Sequence, residues 1–195
     1  MECEQFLEYS SEALNESEMV VTPETIRHWK EVGTRIRDIR KANNKTLEDM
    51  AVKTKMMRTA LCSFENGRAS TSINYALFLR NEFGISFDWI YEGETILKAY
   101  TSKKTSNDVL DSIVIGKRLK GLRESLGLNK VECSILMGIS DVGVSNIENG
   151  NRTPRIETSL KIKKATKKHL DWIYFGDEVI IPKSVIRARK AKNKT

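Results

Sequence analysis

Proline, glycine and cysteine are scarce in this chain: 3 Pro, 11 Gly and 3 Cys in 195 residues. With so few breakers, and with apolar residues recurring mostly at spacings of three and four, compact helical packing is the available route to a core. The cysteines are odd in number and scattered at Cys3, Cys62 and Cys133. That excludes a disulfide framework and points to a reducing cytosol. Apolar runs are missing too; none approaches the roughly 18 residues of a membrane span. The acidic N-terminus has no signal-peptide character, so a cytoplasmic protein is expected. Only two histidines occur, His28 and His169; they do not recur in register and no cysteine stands near either, which leaves no metal site. A glycine-rich phosphate loop, a nucleophile–base pair and paired carboxylates in a plausible cleft are all lacking. The chain is therefore expected to be neither an enzyme nor a cofactor protein.

Charge is present and unevenly placed. The net charge is +7, yet residues 1–26 hold seven acids (Glu2, Glu4, Glu8, Glu12, Glu16, Glu18, Glu24) and no Lys or Arg. The stretch 183–195 holds six bases (Lys183, Arg187, Arg189, Lys190, Lys192, Lys194) and no acid. Without those seven acidic charges the remainder stands near +14. Such a body favours a polyanionic partner, most simply nucleic acid; solvated charge flanked by disordered ends is the plain alternative.

The chain also contains itself. Sliding the sequence until Gly33 falls on Gly116 also places Arg35 on Arg118, Arg40 on Arg123, and Glu65-Asn66-Gly67 on Glu148-Asn149-Gly150. Further on, Ile73 falls on Ile156, Leu77 on Leu160, Asp88-Trp89-Ile90-Tyr91 on Asp171-Trp172-Ile173-Tyr174, and Gly93 on Gly176. These are 13 identities in 62 ungapped positions. Apolar exchanges such as Ile36/Leu119, Val52/Ile135, Leu61/Val144, Phe64/Ile147 and Phe87/Leu170 fill the frame as candidate core. The period is too long for a solenoid unit and suits a small domain, so it implies a tandem duplication.

Local signals give five helices per copy and no convincing strand. Thr22 and Pro23 start a helix carried by Ile26, Trp29, Val32, Ile36 and Ile39 and ended by Asn43-Asn44. Short helices are expected from Thr46 to about Lys53 and from Arg58 to Glu65, closed by Asn66-Gly67. Others follow over Ile73–Phe83 and Phe87–Tyr91. The expected divisions are an acidic arm at 1–21, domain one at 22–96, a linker at 97–110, domain two at 111–181 and a basic tail at 182–195. Val179-Ile180-Ile181-Pro182 offers a short extended segment. The lysines Lys161, Lys163, Lys164, Lys167 and Lys168 suggest a solvated helix face.

In the second copy, Lys130 to Ile147 has a helix-turn-helix pattern. Ser134 is small where helices cross, Gly138 permits positive φ at the turn, and Ser140 caps the next helix, with Ile135, Ile139, Val144 and Ile147 turned inward. The residues from Ile115-Gly116-Lys117-Arg118-Leu119 through Ile147-Glu148-Asn149-Gly150 to Leu170-Asp171-Trp172-Ile173, with their partners in the first copy, resemble the lambda-repressor-like, or XRE, family of DNA-binding domains. The resemblance covers nearly the whole folded part of each copy. It implies an all-α fold of two tandem five-helix domains, each placing its third helix in the major groove of double-stranded DNA.

Carried over by position, the resemblance gives Arg58, Thr59, Cys62 and Ser63 as base readers in copy one, with Asn66 and Arg68 toward the backbone. In copy two it gives Asp141, Val142, Ser145 and Asn146 as readers, Arg152 in the loop behind, and Asn149 and Lys130 toward phosphate. Both copies depart from the pattern. Copy one has Lys55 for the turn glycine and Met57 for the capping residue; copy two has Asp141 at the front of its reading helix. The resemblance further implies a transcriptional regulator of phage or mobile-element type, associated with the nucleoid, and a homodimer contact at the Trp89 and Trp172 edges. The rival reading is a protein-binding module, anti-repressor or antitoxin-like, in which one or both copies no longer read DNA.

Overall fold

The computed structural model describes residues 22–96 and 107–178, which form ten helices and no strand. The expectations for the acidic arm, most of the linker, the Val179–Pro182 segment and the basic tail lie outside the described residues. Copy one contains α1 (Pro23–Ala42), α2 (Leu47–Thr54), α3 (Arg58–Glu65), α4 (Ile73–Phe83) and α5 (Phe87–Glu92). Copy two contains α6 (Ser112–Ser125), α7 (Lys130–Met137), α8 (Asp141–Glu148), α9 (Ile156–Thr166) and α10 (Leu170–Phe175). From the second helix onward each element has the length of its counterpart in the other copy.

The starts and stops follow local chemistry. Thr22 accepts a hydrogen bond from the Thr25 amide, and Pro23 occupies the first turn, where no amide partner is needed. Thr46 with Asp49, and Asn129 with Glu132, form reciprocal capping boxes at α2 and α7. Asp111 caps α6 by accepting from the amides of Ile113 and Val114.

The buried apolar residues of the two copies join into one core cluster. Val32, Ile36, Met50, Leu61, Leu79, Phe87 and Ile90 are fully buried in the first; Ile115, Val144, Ile147, Leu170 and Ile173 are fully buried in the second. Each large aliphatic contributes about 1.5–3 kcal/mol by leaving water. Two expected core positions do not belong to it. Val52 is 72% exposed and Ile135 58%. Both stand two residues past the buried Met50 and Cys133, a rotation of about 200° that carries a side chain to the opposite helix face. Lys163, expected on a solvated face, is also buried.

Two arginines per copy lock the first helix to the others. Arg40 grips Glu65 through two hydrogen bonds of 2.6 and 2.8 Å and donates to the Lys45 carbonyl. Arg123 repeats this with Glu148 and the Leu128 carbonyl. Arg35 donates to the carbonyls of Ile90 and Tyr91 at the end of α5, and Arg118 to that of Ile173 in α10. Gly33 and Gly116 let the first helix touch the third directly. A Cβ there would collide with the carbonyl oxygens of Phe64 and Ile147.

The copies pair through α4 and α5 on one side and α9 and α10 on the other. The buried Asp88 carboxylate accepts from the Leu170 and Asp171 amides at 3.0 and 2.9 Å and from Lys163 Nζ at 2.6 Å. The buried Asp171 accepts from the Phe87 amide and from Arg80, both at 2.7 Å. Each aspartate thus supplies an acceptor to the first turn of the other copy's last helix, where the backbone leaves amides unsatisfied. Around these contacts, Phe87 packs edge-on to Tyr174 and Phe175, and the Arg80 guanidinium lies 4.0 Å from the Phe175 ring centre. Asp108 and Asn81 exchange two hydrogen bonds, and Asp108 also receives Arg80, so the chain entering copy two is clamped to copy one.

Two outcomes are expected. Gly33→Ala or Gly116→Ala lowers unfolding free energy by about 3 kcal/mol, read by denaturant titration, because backbone cannot yield to the new methyl as a side chain tip can. The pH dependence follows from Asp88. Burial raises its carboxyl pKa, but Lys163 and the two amides outweigh burial and hold it below the ordinary value. A depressed folded-state pKa gives stability that is present above the unfolded value, near 3.8, and is lost as pH falls through the folded value. The Asp88 contribution is therefore constant from neutral pH to about 5 and is lost below about 4. Asp88→Asn costs about 3–5 kcal/mol at neutral pH and flattens the acid limb.

Candidate nucleic-acid interface

Each copy presents a pair of eight-residue helices joined by a tight turn, α2–α3 and α7–α8. The turn needs one residue in the left-handed region. Gly138 takes it at φ 62°, ψ 42° without steric cost, whereas Lys55 takes it at φ 54°, ψ 30° despite its Cβ. Ser140 caps α8 by accepting from the Gly143 amide; Met57, before α3, makes no side-chain cap. The sharper sequence signal in copy two therefore corresponds to better local chemistry, while both copies reach the same geometry.

The α3 face carries the expected residues of copy one. Arg58 and Thr59 are exposed in the first turn, Cys62 and Ser63 are half-buried one turn on, and Asn66 and Arg68 are exposed beyond the helix. Ser63 Oγ donates to the Thr59 carbonyl. Asn66 holds the face in place: its Oδ1 accepts from Arg37 at 2.7 Å and its Nδ2 donates to Cys62 Sγ. Arg58 and Arg68 form no ion pair among the described residues.

The α8 face is chemically different. Asp141 and Val142 are exposed at its start, and the Asp141 carboxylate accepts from the Val142 amide. Ser145 is half-buried and receives Lys130 Nζ at 3.0 Å, which joins the start of α7 to the middle of α8. Half-buried Asn146 accepts from Asn151, while Asn149 and Arg152 are exposed. Val131, Ile135 and Val142 are 60%, 58% and 63% exposed. Their counterparts in copy one are Glu48, Val52 and Thr59, so this face has gained apolar surface.

Copy one has further cations that the position-by-position reading did not include. Arg27, Lys30 and Arg37 recur at three- and seven-residue spacing on α1, a basic stripe legible in the sequence. Gly67, at φ 64°, lies against the backbone of Lys30, so the loop following α3 rests on that stripe. In copy two the equivalent positions are Leu110, Ile113 and Lys120, and Ile113 is exposed.

Comparison with protein-family models gives one match, Helix-turn-helix (HTH_3), found twice, at residues 36–90 and 119–173. The offset between the two matches, at both their starts and their ends, is the period of the repeat. The chain belongs to the helix-turn-helix family. As a member it is a DNA-binding helix-turn-helix protein with two such domains, and the all-α tandem arrangement expected from the sequence is the one observed. No curated protein and no solved structure matches it. Among the described residues no helix is long and apolar enough to cross a membrane.

Away from the α3 and α8 faces, Cys133 is a buried thiol whose pKa burial pushes up to about 11, as suits a packing role. Ligand atoms of Asp88, Glu94 and His169 lie within 4.8 Å of one another, a cluster built from both domains and invisible to sequence spacing. Lys163 is its cation, bonded to Asp88, Glu92 and Glu94. Trp89 and Trp172 are half-buried, and α5 and α10, where a second chain was expected to dock, are packed on each other within one chain. Lys55→Gly should raise unfolding free energy by about 1 kcal/mol, read by thermal or denaturant melting, since it relieves a left-handed non-glycine residue.

Proposed function

We propose that this helix-turn-helix protein is a sequence-specific regulator of transcription that binds double-stranded DNA through its two domains and acts without catalysis in the cytoplasm, at the nucleoid. The domains we assign are 22–96 and 111–181, joined by 97–110. One observation carries the proposal most directly: Arg58 and Thr59 are exposed at the front of α3 with no ion pair among the described residues holding Arg58 back, and the loop after the same helix rests on a basic stripe of α1. Arginine there can donate two hydrogen bonds to guanine, and Thr59 can touch a thymine methyl. In copy two, Val142 suits a thymine methyl, Asn146 suits adenine, and Asp141 can accept from cytosine. Asn66, Arg68, Lys130, Asn149 and Arg152 complete the two faces toward sugar and phosphate. Cys62, Ser63 and Ser145 are the small side chains that let α3 and α8 approach the groove floor. Occlusion of a promoter, as a phage- or mobile-element-type repressor would do it, is the mode of action this reading favours.

A second reading for copy two follows from the exposed Val131, Ile135 and Val142. An apolar face behind a carboxylate also fits a protein partner, and copy two would then be an interaction module. Substitution separates the readings. Arg58→Ala and Asn146→Ala each cost about 1–3 kcal/mol at one base position in fluorescence-anisotropy titrations if both copies read bases. Arg68→Ala weakens binding to all sequences alike and lowers the salt slope by about one phosphate contact. An Asn146→Ala protein with unchanged specificity would move copy two to the second reading.

A further inference from the structure

Three polar contacts between the two copies obey a rule. Exchange the copies, moving each residue to its counterpart, and one contact becomes another contact of the same interface. Arg80 with Asp171 becomes Lys163 with Asp88. The Phe87 amide on Asp171 becomes the Leu170 amide on Asp88. Arg80 with Asp177 becomes Lys163 with Glu94. An interface in which residue i meets j while the counterpart of j meets the counterpart of i is isologous, and only a two-fold rotation generates it. Domains repeated head to tail would instead meet through two different surfaces.

The same rotation relates the reading helices. Within each copy the third helix is fixed to the first by the same glycine contact and the same arginine–glutamate fork, so whatever operation carries α5 onto α10 also carries α3 onto α8. Two readers related by a two-fold and placed on one duplex meet strands of opposite polarity. The second half-site therefore runs backward relative to the first, although the domains follow one another in the sequence. None of the reader positions is shared: Arg58 has Asp141 as its counterpart, Thr59 has Val142, Cys62 has Ser145 and Ser63 has Asn146.

We infer that the DNA recognised by this chain consists of two half-sites of unlike sequence in inverted orientation, both occupied by a single chain. The half under copy one contains guanine for Arg58, and the half under copy two contains thymine for Val142. The inference rests on the DNA-reading proposal above and adds orientation, inequality of the halves and stoichiometry. Asp108, clamped by Arg80 and Asn81, supports pairing within one chain, because the residues that lead into copy two are themselves held on copy one.

The test uses the full-length chain and a random-sequence duplex library. After selection, affinity is measured for the enriched site, for that site with one half reversed in place, and for that site with one half scrambled. The expected result is a motif of two unlike inverted halves and saturation at one chain per duplex. Reversing a half should cost at least about 100-fold and bring affinity down to that of the scrambled site, since the second contact then loses its effective-concentration gain. On the enriched site, Arg58→Ala should relax selectivity by about tenfold in one half only, and Val142→Ala by about fivefold in the other. Equal affinity for the reversed site, a direct repeat, or two identical halves filled by two chains would overturn the two-fold while leaving DNA reading intact. A single half-site with no second element would overturn it as well, and whichever of Arg58→Ala and Val142→Ala leaves its selectivity unchanged would mark the copy that does not read DNA. Failure to enrich any motif would remove the DNA-reading proposal itself.

Discussion

The orientation of α3 and α8, the second helix of each helix-turn-helix pair, depends on a buried ionic fork formed once in each copy. Glu65 and Glu148, at the last turns of α3 and α8, lie almost out of water. A carboxylate in that position is stable only when its lone pairs are fully occupied. Arg40 and Arg123 occupy them from the first helix and direct a further donor to the loop that precedes the second. One guanidinium therefore fixes three elements at once, the first helix, the start of the helix-turn-helix and the end of its second helix. The direct backbone contact at Gly33 and Gly116 sets how close they come, and the fork sets the angle.

A second pair of acids does for the two copies what this fork does within each. Asp88 and Asp171 share their position in the repeat, and each completes the start of a helix it does not belong to. The cations beside them, Arg80 and Lys163, are also counterparts, although one is a planar donor reaching three carboxylates and the other a point charge doing the same. Duplication has preserved the charge and the burial while the chemistry of the cation changed.

Much of this is legible in the sequence because helix periodicity, caps and the internal repeat are local or arithmetic signals. The helix-turn-helix pairs can be read in full, down to the odd turn residue at Lys55. Less visible is what the shared polar residues are for. Arg35, Arg40, Glu65 and Asp88 recur in register, yet each acts through a partner far along the chain, in the other copy for Asp88. Spacing does not show that, and for the same reason Lys163 reads as part of a solvated lysine face. The inward assignment of Val52 and Ile135 fails for a simpler reason. In a helix of two turns the apolar stripe is too short to fix its own phase, and Met50 and Cys133 already define it.

Covalent pairing alters the arithmetic of occupancy. Two separate subunits must find each other before they act, so the active form thins out with the square of their concentration when a cell grows or divides. Here the encounter between Asp88 and Asp171 is a folding step with no concentration in it. The assembled form scales with the first power of the amount made, and two unlike surfaces are delivered in a fixed one-to-one ratio that no mixture of interchangeable subunits can guarantee.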